Sequence, residues 1–537
     1  MLCGNVETDR REQTIGLRTT ELDRTPQSGG DRFCFKVNGH DVFCKGGNWA
    51  PPDLIAARIE PARYEELVAD ARAAHFTMFR VNGAGTYPGD AFYDACDRAG
   101  ILVWQDFTYA CSTYPGDADF MGLAQQETET LVDRLHWHPS LALWCGNNEC
   151  LTMIGNRAPR PDEIGGLRVW REIIPDICNA SDPCRPYIPG SPVGGATANS
   201  ESAGDCHWWG LLMGDDVSRV RPETMDLCHS PFVSEYGIIA PCDLESVNQY
   251  LKPEDRNRDS LPWKIHSNQF EQGWVAKGIR YHYGEPDGLS LAQYILYGQL
   301  VQATMHGAAM DAFRFRKLDT KADCEGALMW SYNDCWGEMG WAVVDHYLRP
   351  KAAYYAVKRE CAPVKLIIRP RDRRLVTRVV NDTLQSHKVT VRHGWFRLDG
   401  SARELKEASV TVPADGMIEV ASAAIPAPAE KDPSQWLYAA VMSGRGIDDD
   451  QSIWPLAPQR GLALAKPEFT SKLQADGTLE VASQVYCHAV HLDDGGGQML
   501  DDNYFDLLPG VPRKIHVNKK SSSGEYNLTA VLPIAQK

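Results

Sequence analysis

Two apolar runs that each lead into a glutamate constrain this chain more than any other feature. The run SLALWCGNNEC is apolar up to Cys145 and then turns polar, with Glu149 close to its end. The run FVSEYG repeats the pattern and carries Glu235. Short apolar runs of this kind are typical of strands buried on both faces, as in a parallel sheet. Two such strands would point two carboxylates into one cleft at the carboxyl edge of the sheet.

The first two thirds of the chain alternate between strand and helix patterns. Helices are predicted at 61–76, 92–100 and 120–137, and Asn38-Gly39 predicts a hairpin turn before them. This alternation is typical of a (β/α)8 barrel of roughly 320 residues. The eight strands are expected at about Val42, Phe76, Ile101, Leu141, Tyr187, Cys206, Phe232 and Gly326.

After about Cys361 the apolar pattern changes to a period of two, as in KVTVRHGWFRL and GTLEVASQVY. That pattern predicts one or two immunoglobulin-like β-sandwich domains, with a boundary in the proline-rich stretch near 453–458. The expected organisation has four parts. Residues 1–30 form a tail or the remnant of a preceding domain, 31–360 the catalytic barrel, 361–460 a β-sandwich, and 461–537 a C-terminal β-sandwich.

Composition excludes several classes of protein. The formal net charge of -16 argues against a nucleic-acid partner, and the absence of a run of about 18 apolar residues argues against a membrane span. Sixteen cysteines without a CxxC pair predict free, mostly buried thiols in a reducing compartment rather than a zinc site. The first residues, MLCGNVETDRREQ, lack the apolar core of a secretory signal, so we expect a cytoplasmic protein.

The paired glutamates match the chemistry of glycoside hydrolysis. Hydrolysis with retention needs two carboxyl groups about 5 to 5.5 Å apart, one as nucleophile and one that first donates and later accepts a proton. A single glutamate at a strand end is more often part of a surface ion pair, but two of them behind buried strands favour catalysis. Asn148, directly before Glu149, is placed to bond a sugar hydroxyl next to the reacting carbon. We expect no cofactor and no metal, because His136 and His138 flank a tryptophan without a third ligand at zinc-like spacing.

Other polar and aromatic side chains near strand ends are candidates for binding substrate. Arg80 ends the second strand, where a cation would keep the Glu235 carboxylate ionised, although a structural ion pair elsewhere is the competing interpretation. Tryptophans would stack on a pyranose ring, yet any one of them is more often a core residue. His207, Asn333 and Asp334 would orient hydroxyl groups or a carboxylate. The tryptophans considered for stacking are Trp104, Trp208, Trp209 and Trp330.

Several blocks occur in an order that resembles one enzyme family. FKVNGHDVFCKGGNWAPPD, AFYDACDRAGILVWQDF, HPSLALWCGNNE, FVSEYG and MWSYNDCW resemble glycoside hydrolase family 2, and within it the β-mannosidase-like branch. The resemblance implies that Glu149 is the acid/base, that Glu235 is the nucleophile and that Asn148 contacts the 2-hydroxyl. It also implies that Trp104 and Trp330 wall the sugar site.

Three departures from that family stand out. Its members carry a jelly-roll domain and an immunoglobulin-like domain before the barrel, whereas only the first 30 residues precede the barrel here. Asn82 stands where the resembled enzymes carry tryptophan, and Trp208 stands where a tyrosine is common.

The resemblance implies a retaining enzyme that releases a β-linked sugar, foremost β-D-mannose, from the non-reducing end of an oligosaccharide or β-glycoside. Three alternatives of the same family stay open, namely endo-β-mannosidase, exo-β-glucosaminidase and β-galactosidase activity. A truncated, inactive sugar-binding protein is a further alternative. The oligomeric state is not predicted.

Overall fold

Eight parallel strands form the central sheet of the protein in the computed structural model, which describes residues 2–3, 6–7, 10, 15–27, 30–154, 166–209, 217–268, 272–319, 323–492, 500–517 and 526–534. Neighbouring strands follow the order β5-β4-β3-β2-β1-β8-β7-β6. A backbone hydrogen bond from Asp205 N–H to Val193 O (3.2 Å) joins the segments between β5 and β6. The strands are β1 (Cys44–Trp49), β2 (Met78–Val81), β3 (Leu102–Asp106), β4 (Leu141–Cys145), β5 (Tyr187–Ile188), β6 (Cys206–His207), β7 (Val233–Glu235) and β8 (Gly326–Met329).

Helices cover the outside of this sheet. In α1, Tyr64, Leu67, Val68 and Ala71 are buried at helical spacing, and Pro61 occupies the first turn. Burial of each large apolar side chain stabilises the fold by about 1.5–3 kcal/mol. The described helices are α1 (Pro61–Ala73), α2 (Asp90–Ala99), α3 (Ala118–Leu135), α4 (Cys150–Ile154), α5 (Ile174–Ser181), α6 (Leu244–Tyr250), α7 (Leu261–Ile265), α8 (Gln272–His282), α9 (Leu291–Phe315) and α10 (Ala352–Glu360).

A small antiparallel sheet closes the amino-terminal end of the barrel. Cys34–Val37 and His40–Val42 pair around Asn38-Gly39, and Thr20–Asp23, from the segment expected as a tail, pairs with Cys34–Val37. Phe33 packs into the barrel interior, with its ring centroid 5.3 Å from that of Phe232. The first barrel strand therefore begins at Cys44, after the hairpin, and not at Val42 as predicted, because Val42 belongs to the hairpin.

Two antiparallel β-sandwiches follow the barrel, as the sequence pattern predicted. The first pairs β9-β10-β13 against β12-β11-β14-β15, and the second pairs β16-β17-β20 against β19-β18-β21. The barrel followed by sandwiches confirms the predicted fold class. Their strands are β9 (Val364–Arg371), β10 (Arg374–Asn381), β11 (His387–Arg397), β12 (Arg403–Val412), β13 (Gly416–Ala424), β14 (Trp436–Gly444), β15 (Asp450–Pro455), β16 (Phe469–Leu473), β17 (Thr478–Ser483), β18 (Cys487–Leu492), β19 (Phe505–Leu507), β20 (Arg513–His516) and β21 (Leu528–Thr529).

A buried ion cluster ties the first sandwich to the barrel. Asp382 accepts hydrogen bonds from Lys45 Nζ (2.8 Å), Arg314 Nη2 (2.7 Å) and Lys317 Nζ (3.0 Å). Burial alone would raise the pKa of Asp382, but the three cations outweigh it and hold that pKa far below its usual range. The barrel and the first sandwich are therefore joined by buried ion pairs.

The structure bears on two expectations from composition, namely the state of the cysteines and the presence of membrane-spanning helices. Within the described residues, fifteen cysteines are free thiols, and twelve of them are buried, as predicted. Among the same residues, none of the helices combines the length and apolarity that crossing a membrane would require.

Candidate active site

The two glutamates lie at the carboxyl ends of β4 and β7. Glu235 is the last residue of β7, and its side chain is 6% exposed. Glu149 lies four positions beyond the end of β4, with φ +57°, and its N–H donates to Ser191 O at 2.7 Å. Its side chain is 24% exposed, so solvent and a leaving group reach it more readily than they reach Glu235.

One imidazole nitrogen lies between the two carboxylates. His207 Nδ1 is 2.7 Å from Glu149 Oε1 and 3.3 Å from Glu235 Oε2. These three atoms all lie within 4.8 Å of one another. A carboxylate separation of this size suits retaining hydrolysis, since an inverting pair is spaced about 6.5–9.5 Å apart to admit a water molecule.

Three donors hold the Glu235 carboxylate. Oε1 accepts from Arg80 Nη1 (2.8 Å) and from Asn82 Nδ2 (3.1 Å). Oε2 accepts from Trp209 Nε1 at 3.1 Å. These bonds fix the orientation of the side chain, which a group that attacks a single carbon atom requires.

Arg80 connects the glutamate of β7 with polar groups from two other strands. Its fully buried guanidinium bonds Asp106 Oδ2 (2.8 Å), Glu235 Oε1 (2.8 Å) and Asn148 Oδ1 (2.7 Å). Burial alone would lower the pKa of Arg80, whereas the charges of Asp106 and Glu235 raise it, and the net direction is upward. Arg80 therefore stays a cation, and its hydrogen bonds orient the side chains of Glu235 and Asn148.

Asn148 is oriented by donors on its carbonyl oxygen. Oδ1 accepts from both Arg80 Nη2 and Asn82 Nδ2, the latter at 2.9 Å. Its Nδ2 donates weakly to Cys111 Sγ at 3.5 Å. Because two donors occupy Oδ1, Asn148 offers mainly an N–H donor to an incoming hydroxyl oxygen.

A polar chain fixes His207 on its far side. His207 Nε2 lies 3.1 Å from Ser191 Oγ, and that hydroxyl donates to Asp205 Oδ2 at 2.6 Å. Ser234 Oγ donates to the same carboxylate oxygen at 2.5 Å. The ring is thus held between Asp205 and the two glutamates by short, buried contacts.

The environment of Glu149 favours its ionised form. Burial alone would raise its pKa, but the hydrogen bond and charge of His207, followed by the Cys111 thiol and Arg80, lower it overall. A general acid must carry a proton. Glu149 is therefore set as a base while the His207 contact persists, and a bound substrate that replaced this contact would favour protonation.

The structure does not bring every predicted residue to the glutamates. Trp104 has no exposed surface, packs in the barrel interior, and donates from Nε1 to Asp106 Oδ1 at 2.9 Å. Its predicted contact with sugar is therefore wrong. Asn333 is also buried, and its amide exchanges hydrogen bonds with the backbone of Ala50 (2.8 and 3.3 Å), so it is not free to hold a sugar hydroxyl.

The remaining predicted residues follow the carboxyl ends of β6 and β8. Trp208 is 7% exposed, and its backbone N–H donates to Glu235 O at 2.8 Å. Trp330 directly follows β8 and is half-buried. Asp334 is buried, and burial followed by the charge of Glu338 raises its pKa well above the usual value. Contact of these three side chains with sugar stays a prediction.

Sequence reasoning gave no role to Asn82 and Cys111, two neighbours of the glutamates, and expected Trp209 only to stack on a sugar ring. Asn82 and Trp209 donate to Glu235, and the Cys111 thiol donates to Glu149 Oε2 at 3.4 Å. Asn82 follows Arg80 by two positions, so both lie on one face of the chain as it leaves β2. That alternation was a usable signal for Asn82, whereas no sequence signal marked Cys111.

His138 belongs to a separate polar group at the end of α3. Its Nδ1 lies 2.7 Å from Asp97 Oδ2, and Asp97 Oδ1 accepts from Ser140 N–H at 2.8 Å. Asp94 offers a further carboxylate nearby. These contacts account for His138 as an ion-pair partner that anchors the entry to β4.

Comparison with known proteins shows similarity to mannosidases along most of the chain. A family model of an immunoglobulin-fold domain of mannosidases matches residues 464–535. The Beta-mannosidase B of Thermothelomyces thermophilus is 31% identical over 95% of this chain and 65% of its own length. The Beta-mannosidase B of Aspergillus niger is 32% identical over 68% of this chain and 44% of its own length. The chain thus spans less than two thirds of the length of each of these curated relatives.

Solved structures also show similarity to a mannosidase. The crystal structure of the beta-D-mannosidase from Dictyoglomus thermophilum matches with a TM-score of 0.88 and 28% identity, over 96% of this chain and 63% of that one. An exo-chitosanase of Amycolatopsis orientalis matches with a TM-score of 0.71 at 18% identity, over 95% of this chain and 64% of that one, which shows the shared fold alone. The resemblance seen in the sequence is confirmed, because the chain is similar in sequence and in fold to these β-mannosidases over most of its own length.

Proposed function

We propose that this chain is a retaining glycoside hydrolase that releases β-linked D-mannose from the non-reducing end of a β-glycoside or oligosaccharide. The observation that carries the proposal is the close approach of the Glu149 and Glu235 carboxylates, within 4.8 Å, at the ends of two barrel strands. The printed names of the relatives, Beta-mannosidase B and beta-D-mannosidase, support mannose as the sugar.

The two glutamates divide the reaction. Glu149 protonates the glycosidic oxygen while a Glu235 oxygen attacks the anomeric carbon, so that the carbon–oxygen bond to the leaving group breaks and a glycosyl-enzyme ester forms. Glu149, now a carboxylate, takes a proton from water, and the water oxygen displaces Glu235 from the sugar. Glu149 is partly exposed and Glu235 is firmly held, and both observations support this division.

The neighbouring polar groups have positioning and binding roles in this scheme. Arg80, Asn82 and Trp209 hold Glu235, and Asn148 presents its Nδ2–H to the hydroxyl beside the anomeric carbon. Such a bond accelerates the reaction to the extent that it strengthens in the transition state.

Azide rescue tests the assignment of both glutamates at once. With Glu235→Ala and an activated aryl β-mannoside, turnover should be lost, and azide should restore it with formation of the α-mannosyl azide. With Glu149→Ala, azide should instead give the β-mannosyl azide, because the glycosyl-enzyme still forms. Unimpaired hydrolysis by Glu235→Ala, or the opposite pair of azide anomers, would refute the assignment.

A panel of aryl glycosides tests the sugar. We expect the β-mannoside to have the highest kcat/KM among β-mannoside, β-glucosaminide and β-galactoside, since the pocket contacts set sugar preference. Faster turnover of either other glycoside would identify a sister activity. Mannoside binding without turnover of any member of the panel would identify a sugar-binding protein.

A further inference from the structure

A second cavity lies away from the catalytic glutamates, where the barrel meets both sandwiches. It has a volume of about 470 Å³ and is lined by α9, by the edge strand β15 of the first sandwich and by segments around β18 and β19 of the second. Sites for small molecules have volumes of about 300–1,000 Å³ and occur often at domain junctions. Close-packed interiors leave few spaces of this size.

The helix that lines the cavity presents small side chains to it. Ala303, Thr304, Gly307 and Ala308 share one face of α9. A Cβ added at Gly307 would meet Ala356 Cβ at 3.7 Å, an ordinary contact, so the glycine is not required for close approach of the helices. The small residues therefore leave room that larger side chains could have filled.

Three of the titratable side chains in the cavity wall already have partners. Arg369 Nη2 lies 2.5 Å from Asp226 Oδ2, and Arg513 Nη2 lies 2.5 Å from Asp502 Oδ2. His488 Nδ1 lies 2.9 Å from an oxygen of Asp506. A wall with compensated charges has little attraction for an ionic ligand and favours a neutral one.

Neutral polar groups are available in the same wall. Asp311 Oδ1 is buried and has no hydrogen-bond partner among the described residues, and burial, followed by the charge and hydrogen bond of Glu360, raises the pKa of this carboxyl group well above its usual value. The Thr304 hydroxyl donates to Leu300 O at 2.9 Å, which leaves its oxygen to accept. A buried carboxyl oxygen without a partner and a hydroxyl oxygen both accept hydrogen bonds, which the hydroxyl groups of a sugar can donate.

Aromatic rings complete the lining. Trp454 and Tyr504 are half-buried and border the cavity from the two sandwiches, and Tyr281 borders it from α8. Ile425, also in the lining, is 41% exposed, so the cavity opens to the surface at that point. Flat rings beside hydroxyl-matching groups suit the apolar face of a pyranose.

We propose that this interdomain cavity binds a pyranose unit of a neutral oligosaccharide, at a site separate from the catalytic carboxylates. The proposal does not depend on the proposed hydrolase activity, because no lining residue belongs to the described catalytic site.

Hydrogen exchange measured by mass spectrometry locates the binding. In Glu235→Gln, which prevents consumption of the probe, β-1,4-mannotriose should lower deuterium uptake in peptides covering 451–458 and 300–311. Peptides covering 145–152 report the catalytic site separately, so failure of either site is seen independently of the other.

Filling the cavity supplies the control. Ala308→Trp in the Glu235→Gln background should abolish protection at 451–458, whereas Ala292→Trp, at the exposed start of the same helix, should leave it unchanged. If Ala308→Trp does not fold, Trp454→Leu must weaken the protection instead. No protection at 451–458 in the parent, or protection that survives both cavity variants, would overturn the proposal.

Discussion

Replacing His207 with phenylalanine removes the imidazole that contacts both carboxylates and keeps a ring of similar size at the end of β6. The structure gives the sign of the effect. His207 lowers the pKa of Glu149 through a 2.7 Å contact and its charge, while burial raises it. Without the imidazole, burial dominates and the pKa of Glu149 rises.

The consequence for catalysis is a shift of the pH profile. Glu149 is the proposed proton donor, so it would remain protonated to a higher pH in His207→Phe. The basic limb of the kcat/KM profile, which reports the acid of the free enzyme, should move to higher pH. A hydrogen bond to a charged group is worth about 1.5–3 kcal/mol, so the lost orientation should also lower kcat/KM about 10- to 100-fold.

The assay is hydrolysis of an aryl β-mannoside from acidic to basic pH. Ser191→Ala is the matched control, because it removes the hydroxyl on the far side of the ring and keeps the contact with Glu149. A basic limb that stays in place or moves to lower pH in His207→Phe would refute the reasoning. A fall in kcat/KM without a shift of the basic limb would indicate only that packing around position 207 was lost.

Three further perturbations test other parts of the account. Trp209→Phe removes one donor from Glu235 and should lower kcat/KM of the aryl β-mannoside by up to about 100-fold, whereas an unchanged value would remove Trp209 from the site. Asp382→Asn leaves the buried Lys45 and Arg314 without a carboxylate partner and Lys317 with Asp415 alone, and should lower stability by about 3–5 kcal/mol. Because the pKa of Asp382 is depressed in the folded protein, its contribution is present above about pH 4 and is lost as pH falls further, so the denaturation midpoints of parent and variant should converge only in acid. Burial, followed by the charge of Glu149, raises the pKa of Cys111 to about 11, so inactivation by iodoacetamide should be slow at pH 7 and accelerate towards pH 11, and Cys111→Ala should resist it.

The positions of the barrel strands followed from sequence because strands of a parallel sheet are buried on both faces. Such strands appear as short apolar runs, and β4 begins at Leu141 where the run predicted it. The first strand was misplaced because a hairpin and a barrel strand follow one another with only Phe43 between them. The apolar run Val42-Phe43-Cys44 continues from one strand into the next without a turn residue, so the pattern alone does not separate them.

Trp104 shows why strand-end position alone does not identify a binding residue. It lies beside Arg80 in the register of β2 and β3, so both side chains start at one level of the barrel. The long Arg80 side chain reaches Glu235, whereas the indole packs against Phe33, whose ring centroid is 5.9 Å away. Phe33 comes from the hairpin that closes the barrel, a contact that no local pattern encodes.

The contact between Trp209 and Glu235 was beyond sequence reasoning for a related reason. It depends on how the segment after β6 meets the end of β7. Strand order predicted that Glu149 and Glu235 share an edge, but the directions of loop side chains depend on the backbone of each loop. The glutamate pair and the Arg80 cation beside Glu235 were therefore predictable, whereas the contact of Trp209 was not.

Trapping the covalent intermediate tests the central claim most directly. Incubation with 2-deoxy-2-fluoro-β-D-mannosyl fluoride, followed by proteolysis and mass spectrometry, should place one fluoromannosyl group on Glu235, in the peptide that contains FVSEYG. Labelling of Glu149 or of any other residue, or turnover of the reagent without a labelled peptide, would contradict the assignment of Glu235 as the nucleophile.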